Sequence, residues 1–356
     1  MRRIILFVGV SLIAAGCGVD LYESPDFAAV DAGPDVVLWR LVEGPAGLVG
    51  IGGPIQPDDL EEGAPPLTLR SYRSADGRTG EPGDVVGSIA APLLGLAAWD
   101  QGYAASGVWD GVPAVLLSDD GLSWQRIDLA TDGSGVDVES AGIAGSGDTI
   151  VATGFSATDA PIIWVIADSA PTVVETTAFP PASRLTQLVA GPAGFVAATG
   201  ELPDTAAAPP IWVSPDGRSW DAVLDPFEGD TIVTGLIGSA DGNVAVVAET
   251  GSDDGFTLWT TADGTDWTRR ADQDSVFGHL TGKGGDLFAD LMSPPSDAPQ
   301  PRPIAFSFNG RWLEITEAIA GDRFVAVAVV GNAELRVVSG FSGSGEPTPL
   351  VLVAEG

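Results

Sequence analysis

Ser118-Asp119-Asp120-Gly121-Leu122-Ser123-Trp124 returns as Ser214-Pro215-Asp216-Gly217-Arg218-Ser219-Trp220 and as Thr260-Thr261-Ala262-Asp263-Gly264-Thr265-Asp266-Trp267. Weaker copies are Ser74-Ala75-Asp76-Gly77, Ala167-Asp168-Ser169, Phe308-Asn309-Gly310-Arg311-Trp312 and Ala354-Glu355-Gly356. The acidic or Asn position falls at 76, 120, 168, 216, 263, 309 and 355, with gaps of 44, 48, 48, 47, 46 and 46 residues. A period in that range marks a repeat fold whose units cannot bury their apolar faces alone. Seven copies predict seven units.

Working outward from one copy gives the unit. Val244-Ala245-Val246-Val247-Ala248 is a short apolar strand, and Phe256-Thr257-Leu258-Trp259-Thr260-Thr261 alternates apolar and polar as a half-buried strand does. Asp263-Gly264 between strand-like runs predicts a tight hairpin, and Trp267 opens a fourth strand. Four antiparallel strands in fewer than 50 residues make one propeller blade. The expected fold class is therefore all-β, a seven-bladed β-propeller of four-stranded antiparallel blades over residues 35–356. Residues 349–356 supply a third strand and its turn and then stop, so the last blade lacks an outer strand. Residues 20–30 either close the ring there, removing an open edge, or serve as a tether; closure is the expectation.

Aromatics keep two offsets from the turn. Tyr72, Trp164, Trp212 and Trp259 lie four residues before it; Trp124, Trp220 and Trp267 lie four after it, and Trp312 three after. Positions locked to a turn signal serve the repeat, so these rings are expected as wedges between blades, each Trp removing ~150–250 Å² from water.

The amino terminus follows a different grammar. Arg2 and Arg3 precede an apolar run from Ile4 to Ala15, too short to span a bilayer as a helix of ~20 residues. The run ends in Ala14-Ala15-Gly16-Cys17, and Cys17 is the only cysteine among 356 residues. This segment resembles a bacterial lipoprotein signal peptide. The resemblance implies removal of residues 1–16, lipidation of Cys17, and an extracytoplasmic chain held on a bacterial cell membrane, with 17–34 as tether or closing strand. Loss of Arg2 and Arg3 would take the formal charge from -33 to -35. Such a field repels phosphate backbones, so nucleic acid is a poor partner.

The phrase Ser-x-Asp-Gly-x-x-Trp resembles the Asp-box of sialidase-type propellers. It departs from that pattern in having Asp and Gly adjacent rather than one residue apart. The resemblance implies that Asp76, Asp120, Asp168, Asp216, Asp263 and Asn309 are structural turn residues whose oxygens accept backbone N–H groups. It also implies that sialidase chemistry needs an arginine cluster, a Tyr–Glu pair and an Asp acid. Arg40, Arg184 and Arg323 lie near predicted inner strands, and Tyr103 is the one tyrosine near a channel strand. They are the channel candidates, without a complete catalytic set. His279 is the only histidine, which excludes a multi-His metal site. No metal or cofactor is expected. The connections at 53–66, 107–112, 155–160, 200–210, 249–255, 292–303 and 341–348 should share one face. Loops 53–66 and 292–303 are the expected partner contacts. Two functions follow: a non-catalytic surface lipoprotein binding a protein or glycan, or a sialidase-like glycoside hydrolase carried by the resemblance alone.

Overall fold

A computed structural model describes residues 28–30, 36–53, 68–75, 79–88, 93–109, 112–129, 139–155, 160–167, 169–174, 179–180, 184–199, 211–227, 231–239, 242–249, 256–273, 276–283, 286–292, 304–308, 311–315, 324–331, 335–342 and 348–355. Every described strand belongs to a four-stranded antiparallel sheet. The short strand β1 (Ala28–Val30) comes first. One sheet holds β2 (Val37–Gly44), β3 (Gly47–Gly53), β4 (Thr68–Ser74) and β5 (Glu81–Ser88) in that order. The next holds β6 (Leu93–Trp99), β7 (Gly102–Trp109), β8 (Val112–Ser118) and β9 (Gln125–Asp128). Then come β10 (Glu139–Ser146), β11 (Thr149–Phe155), β12 (Pro161–Ala167) and β13 (Ala170–Val174). They are followed by β14 (Leu185–Gly191), β15 (Gly194–Thr199), β16 (Ile211–Ser214) and β17 (Asp221–Val223). The pattern continues through β18 (Thr231–Ser239), β19 (Gly242–Glu249), β20 (Phe256–Thr261) and β21 (Thr268–Gln273). A further sheet has β22 (Val276–Lys283), β23 (Asp286–Met292), β24 (Ile304–Phe308) and β25 (Arg311–Ile315). Finally β26 (Phe324–Gly331), β27 (Leu335–Ser342) and β28 (Thr348–Glu355) are joined by β1, in the order β1-β28-β27-β26.

First strands succeed one another around a centre. β2 lies against β6, β6 against β10, β10 against β14, β14 against β18, β18 against β22, β22 against β26, and β26 against β2. β1 pairs with β28 antiparallel, with Ala28 opposite Val353 and Val30 opposite Val351. An amino-terminal strand therefore shares a sheet with the carboxy-terminal strands, where the sequence predicts a missing outer strand. Phe27 lies outside the described residues.

The core sits between sheets, because each sheet has two apolar faces and, among the described residues, no helix covers either. Ala104, Val115, Ile127 and Leu129 of one sheet and its exit meet Ile143, Ile150, Ala152, Trp164 and Ile166 of the next. Ala144, Val151, Ile163 and Val165 then meet Phe195, Ala197, Trp212 and Trp220. Val196, Ala198 and Ile211 meet Leu236, Ala245 and Trp259, with Trp267 packed alongside. The turn-locked Trp164, Trp212, Trp220, Trp259 and Trp267 are thus buried or half-buried between adjacent sheets, and Trp124 packs between the sheets of β2–β5 and β6–β9. Trp312 stands in β25.

Two features escape the sequence pattern. Phe179 and Phe227, each on a connection between sheets, are buried and insert between the tryptophans of the sheet that follows. Phe179 has its ring centre 4.3 Å from Trp212 and 6.1 Å from Trp220. Phe227 lies 5.4 Å from Trp259 and 5.5 Å from Trp267. The second is a β-bulge at one level of every first strand. The register slips at Leu38/Arg40, Leu93/Gly95, Ser140/Gly142, Leu185/Gln187, Val233/Gly235, Phe277/Leu280 and Ala326/Ala328. Bulges increase local twist and bend the strand, which suits strands crowded about a common axis.

Candidate functional site

Turn geometry explains the recurring phrase. Asp120 Oδ1 accepts the backbone N–H of Leu122 at 2.8 Å and of Ser123 at 2.9 Å. Ser118 Oγ accepts the N–H of Gly121 at 2.8 Å and donates to Asp120 Oδ1 at 3.2 Å. Trp124 Nε1 donates to the Gly121 carbonyl. Asp216 accepts from Arg218 and Ser219, and Asp263 from Thr265 and Asp266, in the same way. Trp220 and Trp267 likewise donate to the carbonyls of Gly217 and Gly264. One carboxylate and one hydroxyl together satisfy backbone donors that a wide turn would otherwise leave to solvent.

The expected tight Asp-Gly hairpin is therefore corrected. β8 ends at Ser118 and β9 starts at Gln125, so Asp120-Gly121 sits inside a broad turn closed by its own side chains. A two-residue hairpin occurs instead between β12 and β13, where Ala167 faces Ala170 and Ser169 takes φ +60°. Asp76, Asp168 and Asn309 lie outside the described residues.

Ser123, Ser219 and Asp266 amides, followed by those of Leu122, Arg218 and Thr265, hold the carboxyls of Asp120, Asp216 and Asp263 well below the usual carboxylate range. A depressed folded pKa stabilises the fold above the unfolded value of about 4. That contribution disappears as pH falls through the depressed values. Asp216→Ala is accordingly expected to lower the urea midpoint at pH 7, with the deficit against wild type shrinking as pH drops below about 4. A deficit constant with pH would show that the carboxylate charge contributes nothing.

Strand polarity defines two faces. Hairpins joining first to second strands and turns joining third to fourth strands share one face, here the hairpin face. Connections between second and third strands, and between consecutive sheets, share the other. Arg184 precedes β14 on that second face, and its guanidinium carbon stands 4.8 Å above the Phe155 ring at the end of β11. Arg40 lies on β2 just past its bulge. It is exposed, yet desolvation by surrounding protein lowers its pKa. The sheets bearing Arg40 and Arg184 are separated by those of β6–β9 and β10–β13. Arg323 lies outside the described residues. His279 stands in β22, and no side-chain placement is described for it.

Tyr103 is no part of the channel wall. Its side chain is fully buried between sheets. The hydroxyl donates to the Gly47 carbonyl at 2.8 Å and accepts the Ala46 N–H at 3.0 Å. It fastens the β2–β3 hairpin of the preceding sheet. Its position in the second strand suggested the channel; its ring lies instead against the β2–β3 hairpin of the neighbouring sheet. Tyr103→Phe removes the hydroxyl from two half-buried backbone groups, a loss of about 0.5–1.5 kcal/mol, readable as a lowered denaturation midpoint.

The first two sheets are also joined by polar groups that sequence reasoning missed. Asp84 N–H donates to the Leu122 carbonyl at 2.8 Å, and Asp84 Oδ2 accepts the Trp124 N–H at 3.2 Å. Trp109 Nε1 donates to the Val86 carbonyl at 2.8 Å. Among the described residues no group of three or more His, Cys, Asp or Glu is placed to hold a metal ion.

No family profile matches the chain, and no curated protein matches it. Solved structures do resemble it. YCF48 bound to D1 peptide has a TM-score of 0.58 at 12% identity, covering 95% of this chain and 100% of that one. The β-propeller domain of the Trilobed protease from Pyrococcus furiosus, described as having an open velcro topology, has a TM-score of 0.57 at 10% identity, covering 90% and 96%. Oligogalacturonate lyase from Vibrio parahaemolyticus has a TM-score of 0.59 at 10% identity, covering 95% and 98%. Identities this low carry the fold alone, and the fold is a β-propeller of four-stranded antiparallel sheets.

Proposed function

We propose that this chain is a non-catalytic, lipid-anchored, extracytoplasmic propeller of seven blades, closed by β1, that binds a protein partner. The observation that carries this is the likeness, over 95% of this chain and 100% of the other, to a propeller solved with a peptide bound. Two further points support it. The repeated carboxylates are committed to turns with lowered pKa values, a structural use rather than an acid–base one. Arg184 is committed to a ring contact with Phe155. The Asp-box kinship of the turns and the lipidation of Cys17 belong to the same reading. Arrays of extended peptides and of glycans, probed with the purified chain lacking residues 1–17, test it. Saturable peptide binding without glycan binding is the expected result. Binding to glycans alone moves the ligand class. Turnover of a fluorogenic sialoside that survives repurification overturns the non-catalytic reading.

A further inference from the structure

Strand polarity fixes which face an anchored chain turns toward its membrane. First strands run toward the hairpin face, second strands away from it, and third strands toward it again. β28 is a third strand, so it runs toward the hairpin face, and β1 lies antiparallel to it. β1 therefore begins at the hairpin face: Ala28 is opposite Val353, two residues from the end of β28. Whatever precedes Ala28 enters the ring from that side.

Resting on the lipid-anchor reading above, we propose that the propeller stands with its hairpin face toward the bilayer and its second-to-third-strand face toward the aqueous compartment. Eleven peptide steps separate Cys17 from Ala28. Eleven residues reach at most about 36–40 Å when drawn straight, and a flexible coil of that length spans about 17–20 Å r.m.s.. An eight-residue strand is about 26 Å tall. Bringing the opposite face to the lipid would draw the leader straight up the rim of the ring against its chain entropy. Leaving the hairpin face nearest the lipid asks for no extension of the leader.

That face is also acidic. Asp100, Asp119 and Asp148 on its hairpins and turns are exposed, as are Asp216, Asp263 and Asp266. The tether, rather than charge attraction, supplies the orientation, and anionic headgroups push the face outward by a Debye-screened repulsion. Arg40, Arg184 and the connections between second and third strands then face partners arriving from solution.

Because Cys17 is the only cysteine, single introduced thiols report position cleanly. The full chain, processed in a bacterial host, is placed on zwitterionic vesicles carrying a headgroup-level nitroxide lipid. A fluorophore is attached at Ala193→Cys or Pro45→Cys, both exposed on hairpins, or at Val112→Cys on the far face. The expected result is quenching several-fold stronger at both hairpin positions than at Val112→Cys. Anionic lipid should weaken it and added salt restore it. Equal or reversed quenching in chains that still float with the vesicles overturns the orientation and leaves the anchor reading standing. A wild-type chain that reacts with maleimide and fails to float overturns the anchor reading and the orientation with it.

Discussion

Trp164→Ala is expected to cost about 3–5 kcal/mol, the range for emptying a large aromatic site in a packed interior. Trp164 is fully buried, as are Ala104, Val115 and Ala152 in the cluster it fills between two sheets. The neighbouring strands cannot collapse into the hole, since each is fixed by its own sheet ladder. A whole domain is stabilised by only about 5–15 kcal/mol, so this one substitution removes a large share. The measurement is the urea midpoint, with an unchanged m-value as the condition for reading it as stability. Val112→Ala is the control: that side chain is 38% exposed, and the change should stay within about 0.5 kcal/mol. Equal effects at the two sites would mean that the indole does not wedge the sheets.

Gly217→Ala should be nearly as damaging for a different reason, and partly repairable. Gly217 takes φ +73°, a left-handed conformation that costs an L side chain about 1–2 kcal/mol. A Cβ there would overlap Val151 Cγ2 of the preceding sheet. Overpacking of this kind adds about 1–3 kcal/mol. Gly121 stands in the same relation to Val49, and Gly264 to Val213 at 2.8 Å. Each of these three turn glycines is thus a point where one sheet rests on the one before. Val151→Ala alone is destabilising, because Val151 is fully buried. In the Gly217→Ala background it should recover the overlap component and leave the backbone component. The double-mutant cycle then shows a favourable coupling of about 1–3 kcal/mol. Simple additivity would place the whole effect in the backbone and remove the Gly217–Val151 contact as a cause.

Much of the fold was legible because its signals are local and repeated. The turn phrase recurs in full where β8, β16 and β20 hand over to a fourth strand, so one carboxylate, one hydroxyl and one glycine reported the repeat and its spacing together. The tryptophans could be placed between sheets by their fixed offset from the turn. Phe179 and Phe227 offered a weaker signal of the same kind, being 48 residues apart, but no shared neighbours drew attention to them. The bulges gave no phrase at all. Ser140/Gly142 and Leu185/Gln187 slip at the same level with unlike residues, since a bulge answers to crowding by the next sheet and not to its own side chains.

The candidate site was legible only as residue types. Arg40, Arg184 and Tyr103 each stood near a first or second strand. Which way a side chain turns depends on the register of the sheet and on what the adjacent sheet leaves open. That sent Tyr103 into a junction to hold Ala46 and Gly47, laid Arg184 on Phe155, and left Arg40 exposed just past the bulge of β2.

Taken alone, the sequence determined the all-β repeat, its period, and the turn chemistry, because each of these is settled by residues within a few positions of one another. Tertiary structure decided the partner of β1, the faces of the ring and the surroundings of every candidate side chain. Those depend on contacts between segments tens to hundreds of residues apart, whose free energy exists only once neighbouring sheets have closed on each other.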